Sequence, residues 1–323
     1  MKKLIALALA IVLAATSMMF VSCDTADDGK YTIGICQLVA HPALDAATQG
    51  FQDAVIAALG EENVEFLVQD AGNDIPLCTT IANDFVSKNV DLIMANATPA
   101  LQAAASATAD IPVLGTSVTE YGVALGIKDF DGLVGGNISG TSDLAPLDEQ
   151  AQMIKDLCPT AEKVGLLYCS AEANSKYQVD EVKKFLVGMG YAEENVKEFA
   201  FTDSNDVAAV TTAAAEFSDV IYVPTDNTVA SNTEIINSIC LPAGVPVVAG
   251  EEGICKVCGI ATLSISYYDL GYLTGEMAVK ILKGEEKISK MPIEYVTKLA
   301  KKYNKANCDA LGITIPSDYE IIE

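Results

Sequence analysis

The sequence predicts an α/β protein of two similar doubly wound parallel-sheet lobes joined by a multi-stranded hinge. Short apolar runs alternate with helix-length amphipathic segments, the pattern of βαβ units whose strands are buried on both faces. The pattern also occurs twice, with three echoes in order at offsets of 128 to 134 residues. Residues 91–98 (Asp91, an apolar run, Asn96, Thr98) return at 219–228, Glu61-Glu62-Asn63-Val64 returns at Glu193-Glu194-Asn195-Val196, and Ile111-Pro112-Val113 returns at Val245-Pro246-Val247. A repeated supersecondary unit is the mark of a duplicated lobe. With 323 residues, half of them hydrophobic, the chain is long enough for two cores.

In the first unit, Tyr31 to Cys36 reads as a strand ending at Gln37. His41-Pro42 opens a helix to about Leu59, with proline at the first helical turn and Leu44, Phe51, Val55 and Ile56 on one face. Strand Val64 to Val68, helix Ile75 to Lys88, strand Leu92 to Ala95, a helix from Pro99 and strand Ile111 to Leu114 follow. The helical period is then lost. Residues 116–145 are rich in glycine, serine and threonine, and read as a flexible crossing segment because neither GxGxxG nor GxxxxGK[ST] is present. A helix from Pro146, strand Val164 to Cys169, a loop Ser170 to Ser175 and a helix to Met189 start the second unit. Strands at Val196 to Phe201, Val220 to Val223 and Val245 to Ala249 continue it. The helix from Tyr267 follows the complete second unit, so it is expected to return to the first lobe. The predicted division is lobe one at 31–115 plus 267–291, the crossing at 116–145, and lobe two at 146–266 plus 292–323.

The N-terminus carries its own signal. Met1-Lys2-Lys3, an apolar stretch through Phe20, and Val21-Ser22-Cys23 make a basic, hydrophobic and small-residue series, the layout of an export signal over residues 1–22. The run is short for a retained span, and the polar residues 23–30 read as a tether.

Composition excludes whole classes of function. The net charge of −24 repels nucleic acid. All 20 basic residues are lysine, so no guanidinium fork exists for a phosphate or dicarboxylate. His41 is the single histidine, which removes a multi-histidine zinc site and any Ser-His-Asp triad away from it. No cofactor motif is present. Of the cysteines, Cys36, Cys169 and Cys240 lie in apolar runs where a thiol acts as a small hydrophobe, and Cys255-Lys256-Val257-Cys258 lacks a second pair. In an open parallel sheet, groups just beyond a strand's carboxyl end face the ligand crevice. Thr225, Asp226 and Asn227 follow the strand Val220 to Val223, which makes Asp226 the first candidate for ligand contact.

Five stretches, in order, resemble the substrate-binding lipoproteins of ABC transporters, in the group that includes tryptophan-binding and other aromatic amino acid-binding members. They are Gln37 with His41-Pro42-Ala43-Leu44-Asp45, Gly135 to Gly140, Ser170 to Ser175, Pro224 to Val229, and Leu270 to Gly275. The N-terminus similarly resembles a lipoprotein signal with lipidation at Cys23. The resemblance implies a type I periplasmic-binding-protein fold, a small-molecule ligand, ABC permease and ATPase partners, membrane anchoring through the lipid, and no catalysis. An amino acid zwitterion needs a carboxylate near its ammonium, and hydroxyls or amides near its own carboxylate. Asp226 and Glu251 are the acids at strand ends of lobe two, with Thr98, Thr116 and Ser117 as their counterparts in lobe one. His41 and Tyr168 are placed to flank an aromatic side chain, and Asn174 and Ser175 to cap the cleft. A nucleoside or sugar receptor, or a sensing module without transport, is the alternative; a sensor would be expected to run on into a membrane or DNA-binding segment.

Overall fold

Each of the two apolar series forms one sheet. The computed structural model describes residues 29–322; the export signal at 1–22 and Cys23 lie outside the described residues. In the first sheet, β1 (Tyr31–Gln37) pairs in parallel with β2 (Val64–Asp70) and β3 (Leu92–Asn96). β4 (Val113–Val118) and β5 (Ile138–Ser142) extend it in parallel. The second sheet repeats this with β6 (Val164–Cys169), β7 (Val196–Phe201), β8 (Val220–Val223) and β9 (Val247–Ala249), followed by β10 (Ala261–Ser264). The shared order is β4-β3-β1-β2 in one sheet and β9-β8-β6-β7 in the other. The echoed Glu-Glu-Asn triplets are the 3-10 turns that feed β2 and β7.

Two features depart from expectation. Residues 116–145 are no loose crossing: they complete β4, form helix α4 (Tyr121–Leu125) and supply β5. Gly140 serves close approach, whereas Gly126, Gly132, Gly135 and Gly136 turn the chain at positive φ. Gly140 has φ 147°, and a Cβ there would lie 2.0 Å from the Gly115 carbonyl oxygen, so only glycine lets β5 lie against β4 at this point. Tyr121 fills the space beneath and donates from its hydroxyl to the Thr141 carbonyl at 3.0 Å. β5 reads Ile-Ser-Gly-Thr-Ser and carries no apolar run, which hid it in the sequence. Similarly, the chain does not leave lobe one at 292, because β11 (Glu294–Tyr295) pairs with β5 first. The chain passes between sheets at residues 143–146, 265–266 and 296–299. The last passage leads to β12 (Ala300–Tyr303), which is antiparallel to β10, so the second sheet is not wholly parallel. β13 (Glu320–Ile321) closes that edge.

Helices cover both faces. In lobe one these are α1 (Pro42–Leu59), α2 (Ile75–Ser87), α3 (Thr98–Ala107) and the returning α11 (Tyr267–Leu282). In lobe two they are α5 (Leu147–Leu157), α6 (Ala173–Gly188), α7 (Val207–Phe217), α8 (Asn227–Ala230), α9 (Thr233–Cys240), α10 (Glu252–Val257) and α12 (Lys305–Leu311). The α1–α11 pair is unusually close: a Cβ on Gly271 would lie 1.9 Å from the Ala47 carbonyl oxygen, and one on Gly50 2.1 Å from that of Tyr268. The eight described cysteines, from Cys36 to Cys308, are all free and buried, Cys255 and Cys258 among them. Among the described residues no group of His, Cys, Asp or Glu has metal-binding arrangement, and no helix is long and apolar enough to cross a membrane.

Candidate binding cleft

Lobe two presents three carboxylates where strands give way to helices. Beyond β8, Asp226 caps α8, its Oδ1 accepting from the Val229 N–H at 2.8 Å. Its Oδ2 accepts from the Cys169 N–H at 2.7 Å, tying the end of β6 to the same side chain. Beyond β9, Glu251 caps α10 by accepting from the Gly253 and Ile254 N–H groups at 2.6 and 2.5 Å. Beyond β6, Glu172 stands at the start of α6 but serves α8. It accepts from the Asn227 and Thr228 N–H groups at 3.1 and 2.9 Å, from Asn227 Nδ2 at 2.6 Å and from Thr228 Oγ1 at 2.8 Å. Free N–H groups at helix starts make this the place where buried anions are held. The hold is incomplete for two of them. Burial, then the Glu172 charge, pushes Asp226 up to about 8, and burial pushes Glu251 up to about 7.

Lobe one contributes His41, which precedes α1, and Ser117 on β4, whose φ of 54° is a left-handed conformation rare for a non-glycine residue. The passages between lobes contribute Asp143 and Tyr267. Asp143 is buried, its Oδ2 accepts from the Tyr267 hydroxyl at 3.0 Å, and its Oδ1 has no partner. Burial raises its carboxyl above the usual range, against the nearby hydroxyls of Thr119 and Tyr267, which act to lower it. Ser117 Oγ, His41 Nδ1 and Asn174 Oδ1 are also buried without a partner. These residues, with Leu44, Thr225, Asn227 and Ala230, surround a central space of about 10 Å³, on the order of one water. No lysine lines it. The cleft is shut, with His41 Nε2 at 3.2 Å from Asn227 Oδ1 and Asn73 Nδ2 donating to Thr228 Oγ1 at 3.1 Å across the lobes.

Asp226, Asn227, Glu251, Ser117, Asn174 and His41 thus meet around one space. Four of the expected residues do not. Tyr168 sits on the opposite face of β6 from Cys169, packed in the core with Leu166, and its hydroxyl donates to Glu198 at 2.9 Å. Strand alternation decides this: shifting by one residue reverses the face. Thr116 falls on the face of β4 next to the returning helix, 3.3 Å from Thr141 Oγ1, which in turn meets Thr274 of α11 at 2.8 Å. Thr98 is buried in the first turn of α3, away from the lining. Ser175 lies beneath the surface, its hydroxyl oxygen accepting from Asn174 Nδ2 at 3.3 Å. The sequence does not single out Asp143, Tyr267 or Glu172 as site residues. Glu172 had a readable signal, an acid just past a strand and before a helix, as with Asp226 and Glu251. Asp143 follows the polar strand β5 and had none.

The family model for ABC transporter substrate-binding proteins matches residues 32–320. The chain belongs to that family. A tyrosine-binding protein of Clostridioides difficile (strain R20291) is 39% identical over 259 residues, spanning 78% of this chain and 73% of that one. Among solved structures, an ABC domain in complex with L-Trp from Streptococcus pneumonia has a TM-score of 0.85 at 33% identity, covering 91% of this chain and all of the other. The ligand-free, open structure of a substrate-binding protein with adhesive properties from Clostridium difficile has a TM-score of 0.68 at 40% identity, covering 91% and 99%. The substrate-binding protein described here is therefore closer in shape to the liganded relative, although closer in sequence to the open one, in keeping with its interlobe hydrogen bonds. Its two parallel-sheet lobes are those of the type I periplasmic-binding-protein fold. Family and fold are those of extracytoplasmic solute-binding proteins, which partner permeases and are not enzymes.

Proposed function

We propose that this protein captures an aromatic amino acid between its lobes and delivers it to an ABC permease and its ATPase, held at the membrane through a lipid on Cys23. The observation that carries the ligand class is Asp143 Oδ1, a buried carboxylate oxygen without a partner in a cleft lined by Asp226 and Glu251 and by no lysine. Burying a charge is costly unless it is paired. An α-ammonium group supplies the missing pair. Asp226 and Glu251 set a negative field around that group while their oxygens remain on backbone N–H groups. The hydroxyl of Ser117 is the free donor for the ligand carboxylate. Leu44, Ala230 and Tyr267 offer apolar surface to a ring. An aromatic amino acid needs more room than the shut cleft leaves, so the lobes part to admit it, hinging at the three passages.

A thermal-shift screen against the twenty amino acids, nucleosides and simple sugars tests the reading, because a ligand that binds only the folded state raises its melting temperature. The aromatic amino acids are expected to give the largest shifts. A sugar or nucleoside giving the largest shift, with no response to any amino acid, would overturn the ligand class. Mass spectrometry of the membrane-extracted protein tests the anchor: a diacylglyceryl thioether on Cys23 is expected, and an unmodified N-terminus elsewhere would exclude it.

A further inference from the structure

We propose that His41 sets which ring the cleft accepts: its Nδ1 takes a hydrogen bond from the ligand's side chain, a phenol O–H or an indole N–H, so tyrosine or tryptophan is selected over phenylalanine. The inference rests on the aromatic amino acid reading and adds the choice among rings. The argument runs outward from Glu172. That carboxylate collects donors from Asn227 and Thr228, and the amide Nδ2 of Asn227 lies 2.6 Å from its Oε2. Turning the amide over would set oxygen against oxygen, so the orientation of Asn227 is fixed with Oδ1 facing His41 at 3.2 Å. An amide oxygen only accepts. Nε2 of His41 therefore carries the proton and donates.

A neutral imidazole that is protonated at Nε2 has a bare acceptor at Nδ1. Burial lowers the histidine pKa, which keeps the ring neutral, against opposing contributions from Asn227, Glu172, Asp45 and Asp70. Nδ1 has no hydrogen-bond partner, and the residue is 7% exposed while lining the cleft. An unmet acceptor in that position rewards a ligand that brings a donor and penalises one that does not. Donors do line the same space, on Ser117, Asn174, Thr225 and Tyr267, but none of them bonds Nδ1. The residue is also free to act this way. Although His41 occupies the N-cap position of α1, its side chain makes no capping bond there.

Because the chain has one histidine, its imidazole signals need no assignment. Nitrogen-15 spectra of the free protein near neutral pH are expected to show the neutral Nε2–H form, and an Nδ1–H form would overturn the inference before any ligand is added. Adding L-tyrosine or L-tryptophan should shift the Nδ1 resonance, whereas L-phenylalanine should leave it in place. Calorimetry should give L-phenylalanine a Kd at least about tenfold weaker than the better of the other two. In His41→Phe, checked for folding by its melting curve, that gap should shrink to about threefold or less. Equal affinity for all three amino acids in the native protein, or an unchanged gap in the variant, would overturn the inference while leaving the ligand class standing. No binding of any of the three would overturn both.

Discussion

Asp143 and Asp226 are both buried carboxylates of one cleft, yet their oxygens are committed differently. Both oxygens of Asp226 accept from backbone N–H groups, one on β6 and one on α8, whereas Asp143 keeps one oxygen unmet. Asp143→Asn retains an oxygen for the Tyr267 hydroxyl and removes a charge that burial penalises. The ligand-free melting temperature should hold or rise, while loss of a charge-assisted bond to the ligand ammonium, about 1.5–3 kcal/mol, should weaken binding roughly tenfold to a hundredfold by calorimetry. Asp226→Asn should behave otherwise. Asparagine caps a helix about as well as aspartate when a single N–H is at stake. Here one amide oxygen must replace two acceptors, leaving the Cys169 or Val229 N–H facing an NH₂. The denaturation midpoint should fall by the equivalent of about 1–3 kcal/mol even without ligand.

Among the elements, the α1–α11 pair positions two residues of the site, because His41 immediately precedes α1 and α11 begins at Tyr267. Their contact depends on Gly50 and Gly271, where any side chain would meet a carbonyl oxygen of the facing helix. Gly271→Ala should push the helices apart, cost about 1–3 kcal/mol or more of stability, and weaken ligand binding although residue 271 does not line the cleft. A variant with unchanged melting temperature and affinity would show that the pair tolerates separation. The starts of α6, α8 and α10 form the complementary element in lobe two. Glu172 fastens the first turn of α8, which carries Asn227 and Thr228, the two residues that bond across to lobe one. Lobe closure is thereby linked to a carboxylate that lines no part of the cavity.

For the whole molecule, shutting the cleft buries Asp143, Asp226 and Glu251 together, with Glu172 behind them and His41 opposite. The sign of the pH dependence follows. A carboxyl held at about 8 or about 7 in the folded, shut protein, against roughly 4 in the unfolded chain, binds more protons when folded. Stability of the shut, ligand-free form should therefore decline as pH rises from about 4 to 8, and level off above. Opening lets water reach the carboxylates. Small-angle scattering of ligand-free protein should show a larger radius of gyration at pH 8.5 than at pH 5.5, and equal radii would count against the cluster as the cause. A bound ammonium favours the ionised carboxylates, so binding should release protons and tighten as pH rises through about 7 to 8. Calorimetry in buffers of different ionisation enthalpy measures that release directly.

The duplicated α/β plan was legible in the sequence because parallel strands are buried on both faces and so appear as apolar runs, and because the second unit repeats the first. Acids placed between strand and helix, Asp226 and Glu251, were legible for a related reason: helix starts prefer oxygen side chains, and sheet topology fixes where such starts point. Two kinds of information came only with the tertiary structure. The first is which face a strand residue takes at a strand end: an irregular step in the β4–β5 pairing separated Ser117 from Thr116, and strand alternation put Tyr168 on the face opposite Cys169. The second is what strands held by close backbone approach bring together. β5 has almost no apolar side chains and packs through Gly140 and Gly115, so no hydrophobic pattern announced it. Asp143 follows that strand and meets Tyr267 from 124 residues away, a contact that local sequence preferences do not encode.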